Sequence, residues 1–520
     1  VTSVRAIAAA CGLAVALLAG AAQAQSVDDV VVTPQASGQW LRAESEHVIV
    51  YSDEGPAVLR RVVADLEALD QTLRGLYGRS GGPPPRKYPI YLVRPVEPSA
   101  TENPTYRRFL PGAAVSSLSM NVAEPDDVFA VVVRNNFQFF GAIDWTAGDD
   151  NVLAAYALHV FSELFPFRQP RWLIKGASIY YSAADIQSDR IVLGRPPALF
   201  DETQARGGSG GVTDVIAETG YETASSRRRF DARSALLVRY LWADPGRKAR
   251  LDAYLKRLEA GEHDVKAAWT EAFGEPPESL EPRLAAFMRA KPVLETLSRS
   301  VVAAPPSITI RRMPAGAEDL ILEIQQVKAG APGAGREDLL RRFRKAAARR
   351  PAERYSRQAL ARAEIAIGDR DKGERILNQL LEEDGGNLEA LRLMGTSKLY
   401  RGAAEPDPAR RSALMVLARG YLQRADRAEP NDYQTLFLLA QTMVGGQAPS
   451  LERLALLRRA VALAPEVAKI RLVAAVAFLM ADDSDAAFQL LKPMAADPNG
   501  GDASSQAQRI LDLMERTGMR

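Results

Sequence analysis

Apolar positions alternate in short bursts near the start of the chain. His47-Val48-Ile49-Val50-Tyr51, Tyr88-Pro89-Ile90-Tyr91-Leu92-Val93 and the run Val128 to Val133 are β-branched and aromatic. Period-two spacing of such residues predicts three strands. Between the first two, Val58, Val62, Val63, Leu66, Leu69, Leu73 and Leu76 recur every three or four residues. That spacing predicts a helix over 55–77 with one apolar face, stopped by Gly81-Gly82-Pro83-Pro84-Pro85. Helical spacing then dominates. It predicts helices at about 151–165, closed by Pro166 and Pro170, and at 172–184, 232–242, 247–259, 265–272 and 280–290. Strand, helix, strand followed by helices predicts an α+β domain over 39–292, with a mixed sheet packed on helices.

Val301 to Gly316, with Pro305-Pro306 and Pro314, reads as a domain boundary, and 293–316 as a linker. From 317 to 520 the pattern is helical throughout, and it repeats. Closures of the Ala-x-x-x-x-Pro type fall at Ala425 to Pro430 and Ala460 to Pro465, with Met494 to Pro498 similar. Pro430 to Pro465 spans 35 residues and Pro465 to Pro498 spans 33. These bracket the roughly 34-residue period of tetratricopeptide repeats. Small pairs at Leu439-Ala440 and Ala474-Ala475 sit where close helix packing needs them, and Leu456, Leu457, Ala460 and Leu463 line a second helix. Gly385 closes an earlier unit, an insertion falls around Gly402 to Arg411, and Ala359 to Leu381 reads as another helix pair. The expected product is an all-α superhelix of about four repeats.

Composition changes this picture only at the edges. The 520 residues are 47% apolar and 25% charged with a net charge of +2, as in ordinary globular protein, so nucleic acid is not an expected partner. The run Arg227-Arg228-Arg229 reads as a solvated helix start. Residues 1–24 read as a secretory signal peptide, with Arg5 before an apolar run and Ala22-Gln23-Ala24 as the cleavage site. Residues 25–38 read as a polar linker. Cys11, the only cysteine, lies within that signal, so disulfides and thiolate ligands are not expected in the mature chain. No other stretch has 18 continuous apolar residues, and the expectation is an exported protein of the bacterial periplasm without an integral membrane segment.

The candidate chemistry lies in Ala155 to Tyr181, AYALHVFSELFPFRQPRWLIKGASIYY. Pro170, Arg171, Trp172, Gly176, Ala177, Tyr180, Tyr181 and Ser182, the segment Asp189 to Pro196, Phe230 to Ser234 with Leu236 to Leu241, and Ala272-Phe273-Gly274 carry a resemblance over roughly 39–290. The stretch resembles gluzincin-like bacterial peptidases. In that family a helix carries H-E-x-x-H, whose histidines grip zinc from one helical face while the glutamate activates water. A following W-x-x-E-G-x-A-E helix supplies the third ligand. Carried over by position, the resemblance puts the first histidine at Ala155, the catalytic glutamate at Tyr156 and the second histidine at His159. The glutamates of the second helix fall at Lys175 and Ile179. One ligand of three survives, whereas a zinc site needs three and an open position. No catalytic residue, metal or cofactor is therefore expected.

His159, Glu163, Trp172 and Tyr180 remain as candidate residues of a peptide-binding cleft. A relic metal site at His159 and Glu163, joined by Asp185 or Asp189, is the sharper alternative. His47 reads as a sheet residue and His263 as a solvated turn residue. Ser162 and Ser178 lack a nucleophile-elbow pattern, and the glycine cluster 206–211 reads as a loop. The expected function is that of a non-catalytic pseudopeptidase whose repeats bind an unknown protein or peptide. The alternatives are an active zinc metallopeptidase with an unusual site, or a cleft that binds peptides without cutting them.

Overall fold

The computed structural model describes residues 39–78, 86–93, 119–133, 138–139, 142–143, 150–166, 169–197, 211–219, 224–260, 262, 264–298, 306–330, 335–444, 448–497 and 501–518. Residues 1–24, read as a signal, 25–38, read as a linker, most of the glycine cluster 206–211 and His263 lie outside them. The first element is strand β1 (Leu41–Glu44), then β2 (Val48–Ser52), helix α1 (Pro56–Leu76), β3 (Tyr88–Val93), β4 (Ser119–Glu124) and β5 (Asp127–Val133). A small pair follows, β6 (Gln138–Phe139) and β7 (Ala142–Ile143). Helices α2 (Asp150–Leu164) and α3 (Arg171–Ser182) come next, then β8 (Asp185–Ile186) and β9 (Arg190–Leu193). The α-helices α4 (Val212–Ile216), α5 (Ala224–Trp242), α6 (Pro245–Ala260), α7 (Val265–Phe273) and α8 (Glu281–Arg289) complete this part.

The stretch expected to be a linker is instead built into the sheets. β10 (Glu295–Ser298) pairs antiparallel with β9, and β11 (Thr309–Arg312) pairs antiparallel with β1. The six-stranded sheet has the order β11-β1-β2-β3-β5-β4, with β2-β3 and β3-β5 parallel. Both strands are four residues long and flanked by prolines, so the breaker signal masks them in the sequence. β1 and β4 were equally hidden, because polar residues interrupt their apolar alternation.

Each face of the sheet has its own cover. Val48, Val50, Ile90, Leu92, Ala130 and Val132 point to one side, against Leu59, Val63, Leu66 and Leu69 of α1 and Val152 and Tyr156 of α2. The residues between them, Tyr91, Val93, Phe129 and Val131, point the other way with Trp40 and Val122. Their cover is α9 (Ala317–Lys328), through Ala317 and Ile321. The first helix beyond the expected boundary is thus a layer of the sheet domain.

Behind α9 and α10 (Arg336–Arg349) the chain forms helix pairs. These are α11 (Arg354–Ile367) with α12 (Arg370–Glu383), α13 (Leu388–Ala404) with α14 (Pro408–Ala428), α15 (Tyr433–Gln441) with α16 (Leu451–Leu463), and α17 (Ala468–Met480) with α18 (Ser484–Ala495). α19 (Gly501–Arg516) packs on the last pair. The side chains of Asp369, Asn387, Asp407, Asp432, Ser450 and Asp483 cap the helices that follow them. At Gly395 a Cβ would lie 2.6 Å from Leu422 Cγ, so glycine is what lets α13 and α14 close. A mostly helical C-terminal region built from helical hairpins agrees with the repeat read from the sequence.

α9 and the repeats both meet the β4–β5 hairpin of the sheet. Lys328 Nζ is 2.6 Å from Asp127 Oδ2, at the turn between β4 and β5. Tyr433 Oη donates to the Glu124 carbonyl at 3.1 Å, and α17 packs beside β4. Arg362 pairs with Glu389, and Arg392 bridges Glu389 and Asp432. Burial alone would raise Glu389, but Arg362, Arg392 and Lys328 hold its carboxyl well below the usual carboxylate range.

Candidate functional site

α2 and α3 are the two helices on which the candidate residues lie. Prolines separate them: Phe165 N–H still donates back to Phe161, Pro166 ends α2, and α3 begins after Pro170. No side chain of its own caps α3. Glu218, from the loop after α4, supplies the carboxylate that accepts the Arg171 N–H. Gly176 of α3 faces α5, where a Cβ would stand 2.4 Å from the Ser234 carbonyl oxygen. The glycine shared with the peptidase motif therefore has a packing reason of its own.

His159 is closed in. Its ring stacks on Tyr88 at 3.6 Å, nearly parallel at 3°. Tyr88 Oη and the Ala155 carbonyl both accept from Asn121 Nδ2 at 2.8 Å, which ties β4 and β3 to α2. Only 5% of the residue is exposed. Its Nε2 lies 3.7 Å from Glu163 Oε2 and its Nδ1 3.9 Å from Glu466 Oε1, both beyond hydrogen-bonding distance. Burial, with Arg86 and Arg74 nearby, holds the imidazole well below its ordinary range, so the ring is neutral at pH 7.

The seal over His159 comes from the repeats. Glu466 follows the closing Pro465, in the turn between α16 and α17, and pairs with Arg86. Arg86 Nε also donates to the Leu463 carbonyl at 3.2 Å, and the guanidinium lies 5.8 Å over the Tyr433 ring. Nothing in the sequence marked Glu466 or Arg86. They are 380 residues apart and belong to different periodic patterns.

A second buried network runs behind the histidine. Arg74 donates through Nε to Asp70 at 2.9 and 3.0 Å, and through Nη1 and Nη2 to both oxygens of Glu163 at 3.0 and 3.1 Å. Tyr156 Oη donates to Asp70 at 2.7 Å. His47 touches the same group, with Nδ1 at 2.7 Å from Glu67 and Nε2 at 3.2 Å from Asp70. His47 is thus one end of an ionic chain rather than the ordinary strand residue the sequence suggested.

The motif positions are consequently engaged elsewhere. Ala155 offers its carbonyl to Asn121, and Tyr156 is spent on Asp70. Lys175 is half-buried on α3 and Ile179 is buried. Glu163 has both oxygens on Arg74. Glu163 and Glu466 face opposite nitrogens of His159 and do not converge on one point. Asp185 bonds Gln187 and Arg195, and Asp189 sits beside Arg190, so neither joins His159. Among the described residues, no group of three or more His, Cys, Asp or Glu is arranged to hold a metal ion. Ser162 and Ser178 donate to carbonyls of their own helices, Leu158 and Lys175.

The expected cleft is not an opening at Trp172 or Tyr180. Trp172 is fully buried against Trp269, with ring centres 6.3 Å apart. Tyr180 packs edge-on against Tyr181 and Trp242. Large aromatics bring enough apolar area to be drawn into the helix interface rather than left lining a groove.

Glu218 gives the site a measurable pH dependence. Its backbone is left-handed, at φ 54°. Burial pushes its carboxyl up to about 7 from 4.5, against the pull of the Arg171 and Trp172 amides. The unfolded chain releases this proton near pH 4.5 and the folded chain holds it to about 7. Stability from this group therefore falls as pH rises through that window and stays lower above it, by on the order of 3 kcal/mol. Glu218→Gln is expected to remove this loss. Thermal melts from about pH 5 to about pH 8 should show the variant gaining on the parent as pH rises, and parallel curves would contradict the assignment.

No protein-family model matches the chain, and no curated protein matches it. Among solved structures it is similar to a thermophilic tetratricopeptide-repeat protein of Thermus thermophilus. The identity is 19%, the match covers 38% of this chain and 99% of that one, and the TM-score is 0.33. No helix among the described residues is long and apolar enough to cross a membrane.

Proposed function

We propose that this is a non-catalytic exported protein, a pseudopeptidase whose helical repeats bind another protein. The observation that carries the first half is the seal at His159. The one motif histidine is stacked on Tyr88, lies 3.9 Å from Glu466 and is 5% exposed. The positions where the family keeps its base and its other ligands hold Tyr156, Ala155, Lys175 and Ile179.

The binding surface on this reading is the exposed apolar part of α14 and the start of α16. Val416 and Leu417 of α14 are 62% and 51% exposed, and Leu451 at the start of α16 is 87% exposed. Adjacent apolar side chains left in water on a repeat surface favour an interaction site. Capture from the cell envelope with the full-length mature protein, beside a Val416→Asp, Leu417→Asp double variant, tests this. A partner bound by the parent and lost from the variant is expected. Equal recovery by both proteins would contradict the proposed surface.

A further inference from the structure

The repeats carry a polar cavity where α11 turns into α12. Its volume is about 440 Å³, and Arg336, Arg370 and Arg401 line it with the end of α11 and one carboxylate, Asp371. Arg401 is held by Glu374 at 2.9 Å and by Asp371. Arg336 and Arg370 form no salt bridge among the described residues. Arg370 donates from Nε to the Ile365 carbonyl at 3.4 Å, and its guanidinium lies 5.5 Å over the Tyr400 ring. Tyr400 is itself 42% exposed.

Two nearby acids, Glu364 and Asp369, are engaged by other groups. Glu364 takes Arg344 and the Asp369 N–H, and Asp369 caps the Asp371 and Lys372 amides. The cavity therefore presents two guanidinium forks without a salt bridge among the described residues, a third held in place by its own carboxylates, and an aromatic face beside them.

We infer that this cavity binds a carboxylate-rich peptide segment, with the acidic side chains on Arg336 and Arg370 and a neighbouring apolar side chain on Tyr400. A guanidinium matches a carboxylate through two parallel N–H bonds, and several forks around one opening suit more than one acid. The volume exceeds what a single small anion needs, and the Tyr400 face has no use for one. This inference rests on the reading of the repeats as a binding module.

The test uses the full-length mature protein and a dye-labelled glutamate-rich peptide carrying one phenylalanine, read by fluorescence anisotropy. Arg336→Ala with Arg370→Ala should weaken binding by roughly tenfold to a hundredfold, from the loss of charge-assisted bonds. Arg410→Ala, an exposed arginine of α14, should leave it within about twofold if the effect is local rather than one of net charge. Failure of the peptide to bind, or equal weakening by Arg410→Ala, would overturn the inference. Displacement of the peptide by low millimolar inorganic phosphate would also overturn it, and would make this a phosphate site. None of those results would alter partner capture through Val416 and Leu417, so the cavity can fail while the reading of the repeats stands.

Discussion

Arg74→Ala is expected to cost about 3–5 kcal/mol of folding stability. Arg74 bridges the buried Asp70 and the partly buried Glu163, whose side chains are 1% and 11% exposed. Truncating it removes four charge-assisted hydrogen bonds and leaves both acids facing each other in the interior. An uncompensated buried charge costs more than the lost bonds themselves. Asp70, already raised by burial against the pull of Arg74 and His47, should then be driven further toward its neutral form. Urea unfolding gives the number. Adding Glu163→Gln to Arg74→Ala should recover part of the loss, because the two positions share one network. A loss below about 1 kcal/mol for the single variant would mean that water reaches this network, against the burial described above.

Removal of everything after Gly316 is expected to abolish the folded sheet domain rather than release it. The cut leaves β11 in place but strips away α9, whose Ala317 and Ile321 cover the outer face of the sheet. Trp40, Tyr91, Val93, Phe129 and Val131 would become one contiguous exposed apolar surface, of the kind that drives association. The Lys328–Asp127 pair and the Arg86–Glu466 seal would go with it. The expected product elutes as aggregate and shows no cooperative melt, while the full chain elutes as a defined species. A compact truncated monomer with a sharp transition would show that the boundary read from Pro305, Pro306 and Pro314 is a true domain border.

That boundary marks where sequence reasoning succeeded and where it stopped. Local periodicity was legible: α1, β3 and β5 fall where the spacing of Val62, Leu66 and Leu69, of Tyr91 to Val93 and of Val128 to Val133 put them. The helix pairs around Pro430 and Pro465 follow from a repeat that each unit must keep in order to pack on the next. Pairing between distant segments was not legible. β11 is a short strand between prolines, and its partner β1 lies at the far end of the same domain's sequence. The contacts of α9 and the repeats with the sheet were not legible either, because nothing local in Lys328 or Tyr433 announces that Asp127 and Glu124 of the same chain will meet them.

The candidate site divides in the same way. That Ala155, Tyr156, Lys175 and Ile179 cannot serve as the ligands and base of an H-E-x-x-H site is visible residue by residue. What these positions touch is not, since Tyr156 meets Asp70 and His159 nears Glu466 only once α1, α2 and the α16–α17 turn are assembled. The placing of Trp172 and Tyr180 in a cleft erred for a related reason. A motif's aromatic positions keep their spacing whether they line a groove or fill a core, and here Trp269 and Trp242 claim them.

The most direct measurement is zinc content and peptidase activity of the protein from residue 25 onward, with and without His159→Ala. The account predicts no stoichiometric zinc after dialysis against a zinc buffer, no cleavage of a denatured protein substrate, and no difference in either measurement between parent and variant. One zinc per chain, with proteolysis that disappears in His159→Ala, would contradict it and make the covered histidine part of a working metal site.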